Sequence, residues 1–115
     1  VERIQAATKL EIAGADPRSH RRAEGQFHIE VAAATQSARL TREEIALQRE
    51  IAPLLWLPTR SRQALRDAAR HHERVASAIA DEDPAAARAG AEEHIRDAFT
   101  WVRQLQIRLQ KSRQR

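Results

Sequence analysis

The sequence predicts an all-α protein: an antiparallel bundle of about five helices, forming a single domain over residues 1–115. Three observations carry that expectation. Alanine, leucine, arginine and glutamate are abundant while glycine occurs only three times, a composition that favours helix. Apolar residues recur at three- and four-residue spacing, and no alternating Val/Ile/Thr run offers a strand. Capping residues precede proline at Asp16-Pro17 and Asp83-Pro84, the arrangement that starts a helix.

Taken in order, residues 1–14 set Val1, Ile4, Thr8 and Ile12 on one helical face, and Gly14 offers a stop. A second helix starts at Asp16-Pro17 and runs to about Thr35, its inner stripe reading His20, Glu24, Phe27/His28, Val31 and Ala34. Thr41-Arg-Glu-Glu44 has capping-box spacing and opens a third helix with Ile45, Gln48/Arg49 and Ala52 on one side. Pro53 should kink or end it, and Pro58 closes the segment. Thr59 or Ser61 caps a fourth helix with the stripe Leu65, Ala68/Ala69, His72, Val75/Ala76 and Ile79. The fifth starts at Asp83-Pro84 and reaches about residue 112, burying Ala87, Ala91, His94, Ala98, Trp101/Val102, Leu105 and Leu109.

A chain of this length can bury roughly two thirds of its unfolded surface. With Phe27, Trp56, Phe99 and Trp101 as the whole aromatic content, that core must be mainly aliphatic. The formal charge of +4 and pI near 10.9 point towards nucleic acid, but much of the excess sits in the terminal "RLQKSRQR". Elsewhere arginine alternates with acids, as on a solvated helix face. No run approaches the ~20 apolar residues that span a bilayer. Cysteine is absent, so no disulfide framework exists and a cytoplasmic setting is expected. The chain opens on Val1 and contains no methionine, so a processed or truncated piece of a longer protein is expected.

The histidines carry the chemistry. His72 lies eleven residues before Asp83 and His94 eleven after it. If helices four and five form a hairpin about that turn, both imidazoles stand at one height, about 16 Å from it. Each lies in its helix's apolar stripe, where an unpartnered imidazole would be costly. Glu24 and His28, four apart on the second helix, share a face and offer partners. Three imidazoles and a carboxylate from three helices make a divalent-metal set: Glu24, His28, His72 and His94. Zinc and nickel come first, with manganese, iron and cobalt also accepting such ligands. His20 shares the face of Glu24 and His28, but its first-turn position predicts exposure, and His71 is one position off the stripe and is expected to be solvated.

Two stretches also resemble a known family. "EGQFHIEVAAATQSARL" and "HERVASAIADEDPAAARAGAEEHI" are similar to segments of the FCD domain, the effector-binding domain of GntR-type transcription regulators, over about residues 20–110. The resemblance implies a metal inside the bundle on the same four residues, a small carboxylate or hydroxy-acid effector above it, and a homodimer. It implies DNA contact only through an N-terminal winged helix that this sequence does not contain, and the family's opening helix is also expected to be missing or clipped. The family usually has Asp where Glu24 stands and Asn where Ser37 stands.

The expected function is therefore a metal-dependent sensor of an organic acid within a transcription regulator, and not an enzyme. Gln48, Arg49 and Trp101 are the candidate effector-binding residues. The rivals are a metal-dependent hydrolase, against which no spare inward acid is visible as a general base, and a metal-free helical dimerisation module. A di-iron bundle is disfavoured because Gly25, Ala69 and Ala91, not glutamates, stand three residues before the three histidines.

Overall fold

Five helices organise the described residues, 1–13, 17–55 and 61–115, in the computed structural model. They are α1 (Glu2–Ala13), α2 (Pro17–Ala34), α3 (Ala38–Leu55), α4 (Arg62–Ala80) and α5 (Pro84–Arg113), and no strand occurs among the described residues. The expected stop at Gly14, cap at Asp16, end at Pro58 and alternative cap at Thr59 fall outside those residues, as does Trp56.

Local chemistry sets the helix ends. Gln36 takes a left-handed φ of 61° at the end of α2, and Ser37 Oγ then accepts from the Leu40 amide at 3.2 Å. Helix α3 therefore begins at Ala38 rather than at the Thr41 box. Thr41 turns its hydroxyl back onto the Ser37 carbonyl at 2.9 Å instead of capping. Pro53 lies inside the last turn of α3, which continues to Leu55. Ser61 caps α4 by accepting from Ala64 at 3.1 Å.

The turn between α4 and α5 fixes the geometry of the hairpin. Asp83 N–H donates to the Ala78 carbonyl at 2.9 Å and Glu82 N–H to Ile79 at 3.1 Å, with Glu82 left-handed at φ 55°. This is the Schellman closure of a helix. Asp83 also caps α5, accepting from the Ala86 amide at 3.0 Å, with Pro84 in the first turn. Asp83→Ala should cost about 1 kcal/mol through the lost cap, measured by urea denaturation.

Helix α1 lies against α2 and α4, α5 packs on α4, and α3 rests on α2. The core joins Ile4 and Ala7 of α1 to Phe27 of α2 and Val75 and Ala76 of α4, bordered by Val31, Ile79 and Ala91. Several expected stripe positions turn outward, among them Val1, Ala34, Ile12 at 54 % exposed and Leu109 at 55 % exposed. In α1 the buried face is Ile4, Ala7, Thr8 and Glu11, so the acid, not the isoleucine, points inward. Leu109 lies on the part of α5 that outlasts α4, α5 having 30 residues and α4 only 19. At 1.5 Å per residue, α5 outruns its partner by about 16 Å.

Candidate metal centre

Three helices bring imidazoles to one point. His28 of α2, His72 of α4 and His94 of α5 each place a ring nitrogen within 4.8 Å of the other two. His72 is fully buried and His94 is 7 % exposed. Their Nε2 atoms lie 2.9 Å apart, so the equal spacing about Asp83 does put them at one height. Phe27 stacks on the His72 ring at 4.0 Å with an interplanar angle of 11°. His28 meets the same ring edge-on at 4.7 Å.

The donor set fits a cation. Nitrogen ligands at about 2.1 Å from one ion stand about 3.0 Å apart when they subtend a right angle. The 2.9 Å pair matches that edge, and the triplet as a whole is held within 4.8 Å. His28 is also in the protonation state that a metal needs. Burial, and then the neighbouring His72, push its pKa down from 6.5 to about 4, against opposing pulls from Glu44 and Glu24. At neutral pH it is therefore a neutral imidazole with a lone pair to give.

A carboxylate from outside the triplet orients it. Glu11 of α1 is 1 % exposed, and its Oε2 accepts from His72 Nδ1 at 2.7 Å. The other ring nitrogen of His72, Nε2, faces His94. Carboxylate–histidine pairing of this kind is the usual support of a metal-bound imidazole. No spare inward acid is expected from the sequence, and Glu11 is one. The available signal was its spacing, seven residues from Ile4 and four from Ala7, which puts it on the buried face.

Other expectations need amendment. His20 is buried, 8 % exposed, because α2 packs it against α1, where its Nδ1 donates to the Glu11 carbonyl at 3.1 Å. The His71 side chain is only 12 % exposed, with Asp97 Oδ2 3.5 Å from its Nε2 and the His94 ring 5.6 Å away. It is covered by α5 rather than solvated.

The remaining predicted residues surround the triplet at different distances. Glu24 is 4 % exposed one turn before His28; it is not one of the triplet donors, but its charge is felt by His28. Gln48 donates to Glu44 Oε1 at 2.8 Å. Its own Oε1 lies 3.7 Å from where a Cβ on Gly25 would be, so α3 meets α2 one turn before His28. Glu44, expected only as a capping partner, is half-buried and its charge is felt by His28. Arg49 is exposed. Trp101 is half-buried and lines a cavity of about 170 Å³ together with His71, His94, Asp97 and Ala98.

Three imidazoles from separate helices thus meet inside an all-α bundle as a candidate metal centre. The FCD domain family model matches residues 1–97, and the chain belongs to that family. The match takes in α1 as well as the two stretches on which the resemblance was noted. RmpR of Mycobacterium gastri, a protein bearing the name of an HTH-type transcriptional regulator, is 36 % identical over 98 residues. That alignment covers 83 % of this chain and 35 % of RmpR, so the chain spans about a third of its relative. No solved structure matches.

Proposed function

We propose that this FCD domain is the metal-dependent sensor of a small organic acid within a GntR-type transcription regulator. The observation that carries the reading is the triplet of imidazole nitrogens within 4.8 Å, two of them 2.9 Å apart. His28, His72 and His94 hold a divalent ion, zinc or nickel ahead of manganese, iron or cobalt, with Glu24 as the fourth ligand. A bound ion supplies a Lewis-acidic anchor for the carboxylate or hydroxy-acid oxygen of the effector. Gln48 and Arg49 from α3 and Trp101 from α5 then set the shape and polarity of the space around that effector, the cavity beside His94 being the part nearest Trp101.

Regulation follows if the effector prefers one arrangement of the helices. Contact with DNA belongs to a separate domain, in keeping with the name of RmpR. A second copy of the chain is the proposed partner. Exposed apolar residues on α3 (Leu47, Ile51, Leu54) and α5 (Ile95, Phe99) support such an interface.

One observation favours a metal-free reading: His94 Nε2–H can donate to His72 Nε2, satisfying both rings without an ion. The experiment separates the two. Protein stripped with chelator and titrated with zinc or nickel is expected to gain about 2.7 kcal/mol at a free-metal concentration one hundred times the dissociation constant. His94→Ala is expected to abolish the gain. No stabilisation of the wild type, with no transition metal in the purified protein, decides for the metal-free module.

A further inference from the structure

Glu11 is the least expected side chain of the core. A buried carboxylate costs several kcal/mol unless it is paired and hydrogen-bonded, yet Glu11 shares the buried face of α1 with Ile4 and Ala7, its side chain wholly covered. Two histidines lie against it, one of them within hydrogen-bond distance. His72 Nδ1 lies 2.7 Å from Oε2, and His20 Nε2 stands 3.9 Å from Oε1. His20 is further tied to the same residue by its bond to the Glu11 carbonyl. The Oε2 atom is thus committed to α4, while the His20 ring of α2 lies alongside Oε1 beyond hydrogen-bond reach.

The His72 ring has little freedom left. Phe27 covers one face, His28 meets it edge-on, and Glu11 occupies Nδ1. An ionised carboxylate accepts hydrogen bonds and cannot donate them, and in that state of Glu11 the proton lies on Nδ1 and the lone pair on Nε2. We propose that Glu11 is the positioning residue of the histidine centre: delivered by α1 and flanked by His20, it fixes His72 as the Nδ1–H tautomer and aims Nε2 at the point shared with His28 and His94. Its consequence for metal affinity rests on the metal reading above; the tautomer itself does not.

The test uses the whole chain. Long-range proton–nitrogen NMR correlations of the metal-free, ¹⁵N-labelled protein at pH 7.5 report the His72 tautomer, and zinc affinity is read by competition with a chromophoric chelator. The wild type is expected to show His72 protonated on Nδ1. Glu11→Gln, which keeps the shape but not the charge, is expected to lower zinc affinity 10- to 100-fold and to weaken the tautomer preference. Glu11→Asp, which keeps the charge, is expected to recover part of both. His72 protonated on Nε2 in the wild type, or wild-type zinc affinity in Glu11→Gln, overturns the proposal. A wild type that binds no zinc overturns the metal reading instead, and the wild-type spectrum then still decides the role of Glu11, whether or not the variants fold.

Discussion

His72→Ala is expected to destabilise the metal-free fold by about 3–5 kcal/mol, the largest effect of any single substitution in the centre. The ring is fully buried, stacks on Phe27 at 4.0 Å and donates to Glu11 at 2.7 Å. Alanine removes the stack, opens a cavity and deprives a covered carboxylate of a donor. The last of these dominates, because breaking one side of a buried pair leaves a charge in the core. His94→Ala removes an equal ring from the rim of the 170 Å³ cavity and leaves the bond between Glu11 and His72 in place, so about 1–2 kcal/mol is expected for it. Urea denaturation in the presence of a chelator measures both. Combining His72→Ala with Glu11→Gln gives a cycle whose coupling energy should be a large part of the His72→Ala loss. Equal stability of the two single alanine variants is the result that removes the buried pair from the account.

That asymmetry shows where sequence reasoning reached and where it stopped. His72 and His94 were legible because a helix has a fixed rise and the Asp83-Pro84 turn is short. Equal counts from a tight hairpin become equal heights, and the 2.9 Å contact follows. His28 was legible from its place on the face of Phe27 and Val31. Glu11 was not, because ranking the face of α1 by hydrophobicity selects Ile12, one position further on. Its burial depends on histidines 9 and 61 residues distant in the chain, and a tertiary pairing of that kind leaves no mark on local periodicity. His20 escapes for the same reason: its place at a helix start predicts exposure, while its neighbour Glu11 lies on another helix. The start of α3 was hidden by competition between two good caps, Ser37 and Thr41, and the left-handed Gln36 decides for the earlier one.

The second large effect concerns pH. Lowering the pH from about 6.5 to about 4 is expected to remove on the order of 3 kcal/mol of stability from the metal-free protein through His28 alone. The sign follows from which state binds the proton. In the unfolded chain His28 protonates near its ordinary 6.5, whereas in the fold burial and the adjacent His72 hold it down to about 4, only partly opposed by Glu44 and Glu24. Between those values the unfolded state carries the extra proton, so stability falls as pH falls and levels off below about 4. Above 6.5 neither state protonates the ring and its contribution is constant. His28→Gln is similar in size and does not titrate, and should flatten the profile in that window. Metal sharpens the contrast: a bound ion requires neutral imidazoles, so protons and zinc compete for the same nitrogens and the zinc-loaded profile should fall more steeply than the metal-free one. Denaturation midpoints at half-unit steps from pH 4 to 8, with and without zinc, measure both slopes. A metal-free profile that is flat across the window would show that His28 is not held neutral by its surroundings, and with that the readiness of the centre for a cation at neutral pH would lose its electrostatic basis.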